Sequence, residues 1–155
     1  LLTLLHERRR AGGVGLGASI GALEGAQANA QRLGLGDRAS FLHGEWEAAD
    51  GVFDVVVSNP PYIRSNDIDL LEPEVARYEP RIALDGGPDG LDAYRRIFTI
   101  LPALLRPGGV FAIEAGFGQA ASLERLATEA GLQVSGVRED LGGVGRVVWG
   151  QAAKA

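Results

Sequence analysis

The chain contains no cysteine and no methionine, and it has only two histidines, His6 and His43. Without cysteine it can form neither a disulfide nor a thiolate metal site, a composition that fits the reducing cytoplasm. Two isolated histidines are too few for a metal site built on imidazole. The sequence therefore predicts a cytoplasmic protein without a bound metal.

Long apolar runs and an excess of positive charge are also missing. No run approaches the ~20 residues that a membrane-spanning helix needs, so we expect no contact with a membrane. The formal net charge of −5 argues against direct binding to a nucleic-acid backbone. A length of 155 residues suits one domain with its own core. These properties leave the oligomeric state open.

The first residue is Leu1 rather than methionine, and it lies inside a pattern that is typical of a helix. Leu1, Leu4 and Leu5 are apolar, and the basic run that ends at Arg10 suits the end of a helix. We therefore expect the natural start of the protein to lie upstream of Leu1.

Short apolar segments alternate with amphipathic segments along the chain. Strands are predicted at 12–16, 38–42, 55–57, 110–115, 132–137 and 146–149, and helices at 1–10, 20–33, 92–105 and 119–130. This alternation is typical of an α/β fold with a doubly wound, mostly parallel sheet. Ser19 is expected to cap the helix at 20–33, and Gly34 to end it in the left-handed conformation. Its apolar face is predicted at Leu23, Ala26, Ala30 and Leu33. Pro102 is expected to kink or divide its helix, and residues 151–155 are expected to form a frayed tail.

The most informative stretch runs from Phe53 to Ile63. Val55–Val57 has the β-branched composition of a strand that is buried on both faces. Pro60 and Pro61 lack an N–H group and cannot continue this strand. Tyr62 is therefore predicted on a stiff turn just past the carboxyl end of a strand, where open α/β sheets bind their ligands.

The turn at residues 59–62 suits a planar amide. A primary amide can donate its two N–H groups to the Asn59 side-chain oxygen and the Pro60 carbonyl, while the Tyr62 ring stacks on its plane. This arrangement would aim the amide nitrogen at an electrophile such as a methyl group on a sulfonium, and stabilise the charge that develops. A proline pair is more often a plain turn, but the strand before it and the aromatic residue after it favour a site.

The segment Ser58-Asn-Pro-Pro-Tyr-Ile63 resembles the Asn-Pro-Pro-Tyr signature of class I S-adenosylmethionine-dependent methyltransferases that act on planar nitrogen. The tetrapeptide alone also resembles DNA adenine and some ribosomal RNA methyltransferases. Other segments resemble the HemK/PrmC family, the protein glutamine N5-methyltransferases. These segments are Glu74-Val75, Tyr78-Glu-Pro80, Ala83-Leu84, Gly86-Gly87-Pro-Asp-Gly-Leu91, Tyr94-Arg95, Glu114-Ala-Gly116, Gln119, Asp140-Leu141 and Arg146-Val-Val148.

The resemblance implies transfer of a methyl group from S-adenosylmethionine to the glutamine of the Gly-Gly-Gln motif in peptide chain release factors. It implies that Asn59, Pro60, Pro61 and Tyr62 hold this glutamine, with Asn59, Pro60 and Tyr62 as the catalytic residues. Asn59 is also expected near the methionine part of the cofactor, and Trp46 beside its adenine. The insert at 63–92 is expected to face the substrate.

Two departures from the family concern the cofactor. The family's Asp-Leu-Gly-x-Gly-x-Gly loop, on its first strand, would precede Leu1, as would its N-terminal helical substrate domain. Gly17 stands where the family has an aspartate that binds the ribose hydroxyls. Losing such charge-assisted hydrogen bonds costs on the order of 2–3 kcal/mol of cofactor affinity.

The expected fold is thus a class I methyltransferase (Rossmann-like) sheet that lacks its first strand and occupies residues 1–150. Without that strand, two buried strand edges lack a partner. We therefore expect residues 12–16 to be poorly placed or to pair abnormally with the 55–57 strand. An ordinary ladder between these two strands is not expected.

Three functions remain open from the sequence. The first is a glutamine N5-methyltransferase acting on release factors. The second is a nucleic-acid N-methyltransferase, which the acidic balance and the 74–91 block disfavour. The third is a non-catalytic protein that keeps the surface facing the release factor without binding the cofactor.

Three acidic residues have both a functional and a structural interpretation. Glu114 is predicted to end a strand at the same sheet edge as Asn59, and a structural carboxylate is favoured over a site residue. Asp85 and Asp89 flank a Gly-Gly pair, and a solvated turn is favoured over a metal site.

Overall fold

The structure is a computed structural model that describes residues 1–154. Its elements are α1 (Leu2–Glu7), β1 (Gly13–Gly17), α2 (Ile20–Arg32), β2 (Ala39–His43), β3 (Phe53–Ser58), α3 (Pro73–Tyr78), α4 (Asp92–Leu104), β4 (Leu105–Glu114), α5 (Ala120–Glu129), β5 (Gln133–Glu139) and β6 (Gly145–Gln151). Short 3₁₀ turns occur at Trp46–Ala48, Ile68–Leu70 and Arg81–Ala83. The chain divides into two compact units, Leu1–Asp50 and the residues from Gly51 onward.

In the first unit, β1 and β2 pair in parallel, and α2 packs on them. Ser19 caps α2 as predicted, because its Oγ accepts a hydrogen bond of 3.3 Å from the Ala22 N–H. Gly34, with a φ of +68°, follows the helix in the left-handed conformation that its position predicts. On the predicted apolar face of α2, Ala30 is buried and Leu23 and Ala26 are half-buried, whereas Leu33 is 52% exposed.

In the second unit, four strands form one sheet in the order β3-β4-β6-β5. β3 and β4 are parallel, whereas β6 is antiparallel to both β4 and β5. β3, β4 and β5 therefore run in the same direction and β6 opposes them, so the prediction of a mostly parallel sheet is confirmed. The turn of residues 140–144 joins β5 directly to β6, and so short a connection permits only an antiparallel hairpin.

The core of the second unit lies between its sheet and the helices α4 and α5. Phe111, Ile113 and Val148 from the sheet are fully buried, as is Leu101 of α4. α4 continues through Pro102 to Leu104, so the predicted division of this helix is wrong. Pro102 lies in the last turn, where its missing N–H leaves the Phe98 carbonyl without its helical donor.

The opposite face of this sheet is partly open. Val55 is 53% and Val57 is 49% exposed, so the prediction of a strand buried on both faces is wrong. β3 is an edge strand of its sheet, and its neighbours on the same face, Val110 and Trp149, are also exposed. An apolar run indicates that a segment can be buried, but it does not supply the element that covers it.

β1 forms a regular parallel ladder with β2, so it is neither poorly placed nor abnormally paired with β3. The Ala152 N–H donates to the Gly109 carbonyl at 2.9 Å, so the predicted frayed tail is wrong for its first residues. The last residue of that tail, Ala155, lies outside the described residues. No helix within residues 1–154 is long and apolar enough to cross a membrane.

Candidate active site

The predicted substrate motif follows β3 at its carboxyl end, in the second unit. The Asn59 side chain is exposed and makes no hydrogen bond to any other residue that the structure describes. Pro60 is buried, and its carbonyl accepts no hydrogen bond from residues 1–154. Pro61 is half-buried. The motif therefore leaves an amide side chain and a backbone carbonyl available to a ligand.

Tyr62 lies half-buried against the loop that follows β4. Its hydroxyl donates to Glu114 Oε1 over 3.5 Å, at the limit of a hydrogen bond. A Cβ at Gly116 would lie 2.9 Å from Tyr62 Cδ2, so the ring occupies space that glycine leaves free. Glu114 thus supports Tyr62, which agrees with the structural interpretation of this carboxylate.

Gln119, at the start of α5, connects the motif to two other loops. Its Nε2 donates to the Tyr62 carbonyl at 3.0 Å and to the Gly90 carbonyl at 3.3 Å. Its Oε1 accepts from the Gly116 N–H at 3.1 Å. The sequence contains Gln119 as part of the family resemblance but gives it no role, because the carbonyls to which it donates are distant in sequence.

Tyr94 of α4 supports the same region from the core. It is fully buried, and its hydroxyl donates to the Glu114 carbonyl at 3.0 Å. The Gly116 N–H donates to this hydroxyl at 3.2 Å. Burial raises the pKa of Tyr94 well above the usual value for a tyrosine. Tyr94 is therefore a neutral structural donor. The sequence feature that indicates this role is a tyrosine on the core side of a helix, because a buried tyrosine needs a hydrogen-bond partner for its hydroxyl.

The insert at 63–92 is fastened to the motif by backbone hydrogen bonds. The Ile63 N–H donates to the Leu84 carbonyl at 2.9 Å, and the Gly86 N–H donates to the Ile63 carbonyl at 2.8 Å. A Cβ at Gly86 would lie 2.9 Å from Tyr62 Cα. The end of the insert therefore packs directly on the predicted substrate-binding residues.

The two aspartates of the insert have protein partners. Asp85 accepts from the Ser65 hydroxyl at 2.6 Å, and this hydrogen bond is the main cause of its lowered pKa. Asp89 pairs with Arg95, whose hydrogen bonds lower the pKa of Asp89 to about 2. No group of His, Cys, Asp or Glu within residues 1–154 is suited to hold a metal ion. The sequence predicts a solvated turn here: the side chain of Asp89 is exposed, whereas that of Asp85 is half-buried and hydrogen-bonded to the chain.

The residues predicted for the cofactor belong to the first unit. Gly17 ends β1, and Trp46 begins the 3₁₀ turn that follows β2. The Gly44 N–H donates to the Gly17 carbonyl at 3.1 Å. Gly17 and the turn that contains Trp46 therefore lie at the carboxyl ends of two neighbouring parallel strands, β1 and β2. Trp46 is half-buried. Their roles at the cofactor stay predictions.

The chain resembles curated bacterial proteins over almost its whole length, although no protein-family model matches it. It is 49% identical over 152 residues to a protein of Caulobacter vibrioides named release factor glutamine methyltransferase, covering 97% of this chain and 53% of that protein. A protein of the same name from Rhodospirillum rubrum is 51% identical over 144 residues, covering 92% of this chain and 44% of that protein. The chain thus spans about half the length of the curated relatives it matches.

Solved structures show the same fold at low sequence identity. A methyltransferase from Pyrococcus furiosus matches with a TM-score of 0.71 and 15% identity, covering 97% of this chain and 68% of that one. An RNA methyltransferase from Salinibacter ruber, in complex with S-adenosyl-L-homocysteine, matches with a TM-score of 0.56 and 18% identity, covering 94% of this chain and 68% of that one. The fold is that of the class I methyltransferases. By sequence, this chain is similar to the release factor glutamine methyltransferases over about half of their length.

Proposed function

We propose that this protein serves the transfer of a methyl group from S-adenosylmethionine to the glutamine amide nitrogen in the Gly-Gly-Gln motif of peptide chain release factors. The observation that supports this most is the exposed Asn59 amide beside the Pro60 carbonyl, neither with a hydrogen-bond partner among residues 1–154. The names of the relatives agree with such a substrate. We further propose that the protein acts in the cytoplasm and without direct contact to nucleic acid.

The motif suits a glutamine side chain because the hydrogen-bonding groups match. The two N–H groups of a primary amide would donate to Asn59 Oδ1 and the Pro60 carbonyl. The Tyr62 ring would limit rotation of the amide plane, since it is itself held against Gly116 and Glu114. An amide nitrogen is a poor nucleophile, and holding it in this orientation lowers the activation barrier of methyl transfer. No acid–base pair of side chains is needed for this effect.

The end of β1 fits the cofactor's ribose only in part. S-adenosylmethionine would supply the methyl group on a positively charged sulfur. Gly17 offers no carboxylate to the ribose hydroxyls, and a Cβ there would lie only 3.0 Å from Leu23 Cδ2. We therefore expect this chain to bind the cofactor about 2–3 kcal/mol more weakly than a relative with an aspartate at this position. No catalytic step is assigned to the first unit.

The methylation proposal is tested by incubating the chain with labelled S-adenosylmethionine and a release factor. We expect label in the unmodified release factor and none in a variant whose Gly-Gly-Gln glutamine is alanine. Label in that variant would remove the assignment to glutamine.

A second candidate function is a non-catalytic protein that retains the substrate surface but does not bind the cofactor. The observation that favours it is Gly17 in place of a carboxylate. Calorimetric titration with S-adenosylmethionine separates the two candidates. A micromolar dissociation constant would exclude the non-catalytic role.

A further inference from the structure

We propose that Gln119 is a positioning residue that fixes the Asn59–Tyr62 turn in the shape that receives the substrate amide. This inference rests on the proposed function. Gln119 holds the Tyr62 carbonyl through its Nε2, and this contact sets where the Tyr62 ring and the Pro60 carbonyl lie relative to each other.

The turn needs an anchor of this kind because of its own composition. Pro60 and Pro61 have no N–H group, so the backbone there cannot donate hydrogen bonds that would fix it. The carbonyls of the turn remain as acceptors, and the Tyr62 carbonyl accepts from Gln119 at 3.0 Å. The donor therefore has to come from elsewhere in the fold, and Gln119 supplies it.

The amide of Gln119 has one orientation that satisfies its neighbours. Oε1 lies 3.1 Å from the Gly116 N–H and 3.4 Å from the Tyr94 hydroxyl, and both of these groups can donate to it. Nε2 then faces the carbonyls of Tyr62 and Gly90, at 3.0 Å and 3.3 Å. A carboxylate would keep the first contact but place an oxygen against two carbonyl oxygens. The site therefore distinguishes an amide from its isosteric acid.

Glycines make the space that this amide occupies. A Cβ at Gly90 would lie 2.7 Å from Gln119 Nε2, and Gly90 has a φ of +77°, which favours glycine. Gly116 likewise has no side chain to displace Gln119 Oε1. Because the turn, the insert and the loop after β4 all meet at this one side chain, a change there is expected to loosen all three.

The test compares Gln119→Glu with Gln133→Glu, the same isosteric change in an exposed glutamine of β5. Gln133 Oε1 accepts from Gln151, and a glutamate keeps that acceptor. Amide hydrogen exchange followed by NMR reports on the loops directly. In Gln119→Glu we expect exchange at Ile63 and Gly86 to accelerate roughly tenfold or more, which corresponds to a local loss of about 1.4 kcal/mol. Exchange at these amides should be unchanged in Gln133→Glu.

The Gly116 amide separates loss of the donor from loss of the whole side chain. Gln119→Glu keeps an oxygen for the Gly116 N–H, so the protection of this amide should be unchanged. Gln119→Ala removes one of its two acceptors and leaves the Tyr94 hydroxyl, so its protection should fall. Unchanged exchange at Ile63 and Gly86 in both variants would overturn the inference. If neither variant folds, the unmodified protein still tests the inference. Fast exchange of its Gln119 side-chain amide protons would overturn the role proposed for Gln119.

The affinity for substrate is a second measurement, and it would stay unchanged if Gln119 had a purely structural role. We expect Gln119→Glu to bind a Gly-Gly-Gln peptide roughly tenfold more weakly than the unmodified chain near neutral pH. Acidification protonates the glutamate and restores one O–H donor, so affinity relative to the unmodified chain should recover, and it should not recover in Gln119→Ala. If the unmodified chain does not bind the peptide, the proposed function fails, while the exchange pattern still tests the role of Gln119. Tight binding by both variants would contradict that role.

Discussion

The chemistry of the candidate site is concentrated in single side chains that the rest of the chain leaves free. Asn59 is exposed and without a hydrogen bond to residues 1–154, although it follows a strand directly. A polar side chain in such a position contributes little to stability, so its substitution is expected to change binding rather than folding.

Replacing Asn59 by alanine removes one acceptor for the substrate amide. We expect the affinity for a Gly-Gly-Gln peptide to fall by about 0.5–1.5 kcal/mol, and the thermal midpoint to stay nearly constant. Asn29→Ala is the matched control, because Asn29 is an exposed asparagine of α2, outside both the turn and the insert. Calorimetric titration and thermal unfolding measure the two quantities. An equal loss of affinity in both variants would contradict the role of Asn59.

At this scale, local signals in the sequence predict local structure well. Ser19 as a cap and Gly34 after α2 depend on near neighbours, and both predictions are confirmed. Gln119 and Tyr94 contact backbone groups from distant segments. Their roles depend on the assembled loops, so sequence patterning alone could not assign them.

The elements of the second unit show what tertiary context adds to such patterns. The apolar run of β3 correctly predicts a strand, but the predicted burial on both faces is wrong, because β3 is an edge strand of its sheet. The face beneath α4 and α5 is different, since Phe111 there is fully buried and meets Phe98 edge-to-face at 6.0 Å.

Phe111→Ala is expected to destabilise the second unit by about 3–5 kcal/mol, because it removes a large buried ring. Phe117→Ala is the control, since Phe117 is 82% exposed and its loss is expected to cost no more than about 0.5 kcal/mol. Chemical denaturation measures both free energies of unfolding. Similar values for the two variants would contradict the assignment of the core.

The insert has a predicted dependence on pH. Asp89 has a pKa of about 2 instead of 3.8, chiefly through hydrogen bonds from Arg95. A lowered pKa stabilises the folded state above the unfolded value, so this contribution is present above 3.8 and is lost as the pH falls towards 2. NMR titration should place the Asp89 midpoint near 2, and Arg95→Gln should move it upward. Arg77→Gln, an exposed arginine of α3, serves as the control. A midpoint near 3.8 in the unmodified chain would contradict this account.

In the whole molecule, the residues predicted to bind the substrate are more complete than those predicted to bind the cofactor. The motif at Asn59–Tyr62 is supported by Gln119, Tyr94 and the end of the insert. The end of β1 carries Gly17 where the family resemblance calls for an aspartate. The chain also spans only about half of its relatives.

Gly17→Asp tests the cofactor side. The new carboxylate is expected to raise the affinity for S-adenosylmethionine by at most about 2–3 kcal/mol, provided that Leu23 moves away from the added Cβ. Gly21→Asp places the same charge in open space on α2 and should change the affinity little. Calorimetry compares the two variants. Equal affinities would show that Gly17 does not lie at the ribose.

The central claim is that the turn of Asn59 to Tyr62 receives a glutamine side chain. The most direct test is calorimetric titration of the chain with a release-factor peptide that contains Gly-Gly-Gln, in parallel with the same peptide carrying Gly-Gly-Ala. Losing the amide removes two hydrogen bonds, so we predict that the alanine peptide binds at least about tenfold more weakly. Equal affinity for the two peptides would contradict the claim.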